Sequence, residues 1–203
     1  MSQNIDHIFY INLAKRTDRR QEIENELNTF GLNGERFNAI SHIQGIVGCG
    51  YSHLAVLKLA KERNYKNVLI LEDDFEFLVS KEDFEHELTQ FFDNKIKYDV
   101  CFLAYNLIQS SDDPEYPFLK RVIESQTASA YLVNSCYYDT LIELYELNIP
   151  LLEQTGKHWI YANDQIWKSL QKIDIWYLFT KRLGKQRPGY SDNTEKFEDY
   201  ANC

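Results

Sequence analysis

Residues 67–71 read Asn-Val-Leu-Ile-Leu, an apolar run without alternation, and the next three residues are Glu72, Asp73 and Asp74. A strand solvated on one face alternates polar with apolar side chains. An unbroken run is buried on both faces, which requires a sheet with helices packed above and below it. HIFYINL at 7–13, YDVCFLAY at 98–105 and IDIWYLF at 173–179 have the same character. Helical stripes separate them. Ile23, Leu27 and Phe30 follow Asp18, the expected cap with Gln21 as its capping-box partner, and precede Gly31, the expected stop. Ser52–Arg63 carries Leu54 and Leu57 on one side, with Gly45, Gly48 and Gly50 before it as a flexible lead-in. Residues 81–93, 135–147 and 163–171 complete the helical set, the last with Asn163 as its cap. ERFNAI at 35–40 reads as a short strand and SSDDPEYP at 110–117 as a loop. VIESQTASAYLVN at 122–134 reads as two short strands or one bent strand, and the chain beyond about 180 as a polar arm. Alternating strands and helices define an α/β class with a mostly parallel central sheet flanked by helices. A length of 203 residues fits one domain over 1–203.

Composition narrows the partners. Hydrophobic residues are 44% of the chain and aromatics 14%, enough for a packed core. A formal net charge of -9 argues against a nucleic-acid backbone or an anionic membrane as the main partner. The first residues, MSQNIDHIFYINL, lack a basic segment followed by a long apolar one, and no apolar run reaches the length of a membrane span. The expected location is therefore the cytoplasm. Cys49, Cys101, Cys136 and Cys203 form no close pair, so a structural zinc site is not expected, and Cys101 and Cys136 read as small core residues.

In such sheets ligands sit beyond the carboxyl ends of the strands, where the acidic trio lies. Burying carboxylates is costly unless something pairs them. Hard oxygen ligands suit Mg2+ or Mn2+, and such an ion can bridge the two phosphates of a nucleotide sugar while another carboxylate accepts from a ribose hydroxyl. The bland alternative is a solvated strand-to-loop turn. Asn12, Arg16, Arg19 and Arg20 follow the first strand, and either hold an anionic nucleotide or begin a solvated helix. Glycines before a helix let a ligand approach the backbone, so His53 in GCGYSH contacts substrate or phosphate, or else is a satisfied structural group. No GxGxxG or Walker pattern is present. Asp164, in the first turn of a helix, is either a dipole-stabilised acid or a general base for an acceptor hydroxyl. Lys185, Arg187, Ser191 and Asp192 lie in the polar tail.

Taken in order, IFYINLAKRTDRR, GIVGCGYSHLAVLK, VLILEDDFEF, DVCFLAYN, TASAYLVN and QRPGYSDN resemble glycosyltransferase family 25. That family includes lipooligosaccharide galactosyltransferases, procollagen hydroxylysine galactosyltransferases and viral members. The resemblance implies a GT-A-type nucleotide-sugar-binding domain, a divalent metal (usually manganese) and a UDP-hexose donor. It assigns Asp74, with Glu72 or Asp73, to the metal and nucleotide motif. It places Asn12, Leu13, Arg16, Arg19, Ser52, His53, Asp73 and Ser191 at the donor, and implies inversion with Asp164, then Asp192, as the base. The expected reaction moves galactose or glucose from UDP to a hydroxyl of a glycan or protein. The chain is shorter than the collagen-modifying relatives, which favours a bacterial or viral enzyme. Two other readings stand beside it. One is a nucleotidyltransferase. The other is a non-catalytic nucleotide- or glycan-binding protein, with Trp159, Trp167 and Trp176 as a sugar platform where they are not simply core.

Overall fold

The computed structural model describes residues 4–191 and 196–198. The elements run β1 (His7–Asn12), α1 (Thr17–Phe30), β2 (Glu35–Asn38), α2 (Gly45–Glu62), β3 (Asn67–Glu72), β4 (Phe75–Phe77), α3 (Lys81–Asp93) and β5 (Val100–Phe102). They continue with β6 (Asn106–Asp112), β7 (Leu119–Gln126), β8 (Ala130–Asn134), α4 (Tyr138–Thr155), α5 (His158–Tyr161), α6 (Asn163–Ile166) and α7 (Lys168–Gln171). The last are β9 (Trp176–Phe179), β10 (Gly184–Gln186), β11 (Gly189–Ser191) and β12 (Lys196–Glu198). An eight-stranded sheet has the order β2-β1-β3-β8-β5-β9-β7-β6. β1, β2, β3, β5, β6 and β9 run one way and β7 and β8 the other, so the sheet is mostly parallel in strand direction.

Alternation along the central strands assigns each side chain to a face. Phe9, Ile11, Val68 and Ile70 pack on one side against α2 and α4, through residues such as Leu57 and Tyr145. Ile8, Tyr10, Leu69 and Leu71 pack on the other against α1 and α3, through Ile23, Leu27, Phe84 and Phe91. Both faces of β1 and β3 are therefore dry, as their unbroken apolar sequence requires. α1 ends where expected: Gly31 is left-handed at φ 69°, and Leu32 N–H returns to Leu27 O. Among the described residues no helix is long and apolar enough to cross a membrane.

Several local expectations are corrected. Asp18 is not the cap of α1. The cap position is Arg16, and Asp18 lies inside the first turn, ion-paired with Arg16 at 2.9 Å. α2 starts at Gly45, not Ser52, so its glycines are helical; a Cβ on Gly48 would lie 2.4 Å from Ile40 O. Gly48 and Gly50 serve close packing, not flexibility. The expected loop at 110–117 is shorter, because β6 runs on to Asp112 as an exposed edge strand paired with β7 in an irregular register, whereas 122–134 contains the end of β7 and all of β8 as two strands. α4 continues through Pro150 to bury Ile149 and Leu152. The segment 163–171 is two short turns, and Asn163 is buried inside the first one, not capping it. Cys136 is exposed, whereas Cys101 is core. Trp167 and Trp176 are core, and Trp159 is exposed. Where loop and arm were expected, the described part of the tail carries a strand: β10 pairs with β4, with Gln186 opposite Phe75.

Candidate functional site

Glu72 is the last residue of β3 and shares the parity of Ile70, so it turns toward α2. There Cys49 and His53, four residues apart on one face of α2, meet it. His53 Nε2 lies 3.1 Å from Glu72 Oε1, and the Cys49 thiol donates to the same oxygen at 3.4 Å. His53 is fully buried, and its Nδ1 contacts Tyr131 Oη at 2.7 Å. Asn163 Nδ2 donates to Cys49 Sγ at 3.4 Å.

Asp73 and Asp74 lie in the turn beyond β3 and face the other way. Asn12, at the end of β1, donates from Nδ2 to Asp73 Oδ2 at 2.7 Å. Arg19 Nη1 bridges both acids, at 3.1 Å from Asp73 Oδ1 and 2.8 Å from Asp74 Oδ2, while its Nη2 donates to Tyr190 O at 2.7 Å. Gln186 Nε2 donates to Asp74 Oδ2 at 3.0 Å. Asp74 Oδ1 is buried and has no hydrogen-bond partner among the described residues. The acids sit above a cleft of about 260 Å3 whose wall includes Leu13, Arg16, Arg19, Cys49, Glu72 and Gln186.

The electrostatics follow from this division. Burial pushes Asp74 up to about 7, with the charges of Glu72 and Asp73 adding to it and Arg19 opposing. Burial also raises Asp73, against Arg19 and Asn12. Burial acts upward on Glu72 too, but the hydrogen bond and charge of His53 outweigh it and hold the group below its ordinary value. The Cys49 thiol is pushed well up by burial and by Glu72.

The structure thus brings Leu13, Arg16, Arg19, Ser52, Glu72, Asp73 and Asp74 to one cleft, with Asn12 bonded to Asp73 and His53 bonded to Glu72 beside it. Glu72 bonds to His53 and Cys49, and Asp74 to Arg19 and Gln186, while both line the same cleft. Ser52 is buried; its Oγ donates to Gly48 O and accepts from Ile40 N, pinning the loop over the cleft. Asp164 is half-buried on α6 and accepts from Thr127 N–H at 3.3 Å. Thr127 has φ 83°, a strained conformation for a β-branched residue. Ser191 closes β11, and Asp192 lies outside the described residues. Sequence reasoning missed Gln186, which the β10–β4 pairing brings to the site, and the Tyr190 carbonyl on β11. It also assigned Cys49 no role, although the spacing of Cys49 and His53 on one helix could have indicated one.

A family model described as Glycosyltransferase family 25 (LPS biosynthesis protein) matches residues 43–156, which include α2 and the acidic trio. The chain belongs to glycosyltransferase family 25. A glycosyltransferase 25 family member of Drosophila pseudoobscura pseudoobscura is 32% identical over 101 residues, covering 36% of this chain and 16% of that protein. One from Aedes aegypti is 25% identical over 154 residues, covering 61% and 24%. This family 25 chain spans about a quarter or less of the length of the curated relatives it matches. Among solved structures, A197 from STIV matches with a TM-score of 0.52 over 97% of this chain and 96% of that one, at 14% identity. At that identity the likeness is one of fold. The fold is an α/β sandwich with one mostly parallel sheet between helical layers, as the resemblance implies.

Proposed function

We propose that this chain is a glycosyltransferase that moves a hexose, galactose or glucose, from UDP to a hydroxyl of a glycan or protein, with Mn2+ or Mg2+ held by Asp74 and Asp73. The observation that carries the reading is Asp74 Oδ1, a buried carboxylate oxygen without a partner among the described residues, beside a second buried acid. Three carboxylates gather here, and among the described residues Arg19 bridges Asp73 and Asp74. A hard divalent ion fits that donor set. When bound, it supplies charge neutralisation for the departing diphosphate.

The remaining work falls to the chain. Asn12 fixes the rotamer of Asp73 by donating from Nδ2 to its Oδ2. Arg16 and Arg19 line the cleft and offer planar donors to phosphate oxygens. Asp164 takes the proton of the acceptor hydroxyl as its oxygen bonds to the anomeric carbon. The bond from that carbon to the diphosphate oxygen breaks, and UDP leaves with the electron pair. Asp192 is the alternative base. UDP release measured with and without Mn2+, in wild type and Asp74→Ala, tests the reading. Strict metal dependence and a loss of about 100-fold or more are expected. Metal-independent turnover, or an Asp74→Ala chain as active as wild type, would sink it.

A further inference from the structure

The donor reading leaves Cys49, His53 and Glu72 unused as a group, yet their ligand atoms all lie within 4.8 Å of one another. We propose that these three residues form a second cation site, separate from Asp73 and Asp74, that selects a zinc-class ion with one coordination position open to the cleft. The proposal goes beyond the transferase reading and does not depend on it.

Geometry is the first argument. Bonds of about 2.0–2.3 Å in a tetrahedral site place ligand atoms roughly 3.3–3.8 Å apart. The Nε2···Oε1 separation of 3.1 Å and the Sγ···Oε1 separation of 3.4 Å need only small adjustment to reach that spacing. Outer partners are the second. A metal-bound imidazole is fixed by a hydrogen bond at its other nitrogen, and Tyr131 Oη already stands 2.7 Å from His53 Nδ1. Asn163 Nδ2 points at the sulfur, as donors around metal-bound thiolates do. Rigidity is the third, since the ligands come from a helix and a central strand and not from a loop. Softness is the fourth. Thiolate and imidazole favour zinc over magnesium or manganese, whereas the all-oxygen pair of Asp73 and Asp74 favours the harder ions. The site has a way in, because Cys49 and Glu72 both line the cleft.

The proton balance is simple. In the metal-bound form His53 holds its remaining proton on Nδ1, facing Tyr131 Oη, while Nε2 bonds the ion and any proton on Nε2 leaves to solvent. The Cys49 thiol releases one proton to solvent as sulfur bonds the ion.

The test is titration of the metal-stripped chain with Co2+, a spectroscopic substitute for zinc. One equivalent is expected to give a thiolate-to-cobalt charge-transfer band in the near ultraviolet. Equimolar Zn2+ should remove the band, and excess Mn2+ or Mg2+ should leave it. Cys49→Ser and His53→Gln should lose it, and Cys136→Ser and Asp74→Ala should keep it. Absence of the band in folded wild type, its persistence in Cys49→Ser, or its removal by one equivalent of Mn2+ would overturn the proposal. The wild-type competition decides even where a variant fails to fold. Persistence of the band in an Asp74→Ala chain without transferase activity separates this site from the donor reading.

Discussion

At Asp74, burial and two neighbouring carboxylates raise the acid from an ordinary 3.8 to about 7. The folded chain therefore keeps a proton that the unfolded chain has released between about pH 4 and 7. Stability contributed by this group falls as pH rises through that window. Glu72 has the opposite sign: its lowered value contributes stability that is present above its unfolded pKa and lost as pH falls through the folded one. Asp74→Asn removes the buried charge, and its midpoint of thermal unfolding at pH 8 is expected to rise by about 2–4 °C, equivalent to roughly 1 kcal/mol for a chain of this size. Its stability profile between pH 4 and 7 should flatten, which melts across a pH series would read. The identity of the acids was legible because three carboxylates after a buried run demand an explanation. Their division was not. Parity places Glu72 on the Ile70 face, but only the packed structure reveals that α2 supplies His53 and Cys49 there. Gln186 is 112 residues from Asp74, and nothing local to either predicts their contact.

At the scale of elements, the glycines of α2 carry a test. Gly48→Ala forces a Cβ toward Ile40 O at 2.4 Å, backbone that cannot step aside without moving the loop over the cleft. Urea unfolding is expected to show a loss of about 1–3 kcal/mol, the usual cost of overpacking. The segment from Gly184 to Ser191 offers another. Arg187 pairs with Glu22, Glu26 and Glu76, and its N–H donates to Asp74 O at 2.6 Å, so this segment is strapped to α1 and β4. Arg187→Ala should expose the bond after Lys185 to trypsin, with cleavage several-fold faster than in wild type. An unchanged digestion rate would show that strand pairing alone holds the strap. The buried strands and the α1 and α3 stripes were readable because apolar periodicity records burial directly. β6 and the described tail strands were not, because backbone pairing holds them and a polar sequence leaves no periodic trace.

At the scale of the molecule, one sheet separates two apolar layers that share β1 and β3. Loss of either layer exposes the other face of the same strands. The expectation of one domain over 1–203 therefore predicts one cooperative transition. Fluorescence of Trp167 and Trp176, buried on the α2 and α4 side, should melt together with far-ultraviolet circular dichroism, which reports all the helices. Two separated transitions would refute it. The α/β class and the mostly parallel sheet followed from the order of apolar runs, whereas strand order did not, since β8 enters between β3 and β5 through long-range pairing alone.

The pairing of β10 with β4 also has a consequence for how the protein is made. The acidic turn leaves the ribosome early, but Gln186 and the backbone N–H of Arg187, both of which contact Asp74, come more than a hundred residues later. A released chain ending at Leu183 contains every strand of its main sheet and still lacks these contacts, with Phe75–Phe77 left as an unmatched ribbon. A stop codon there would spare most of the apolar interior and silence the cleft.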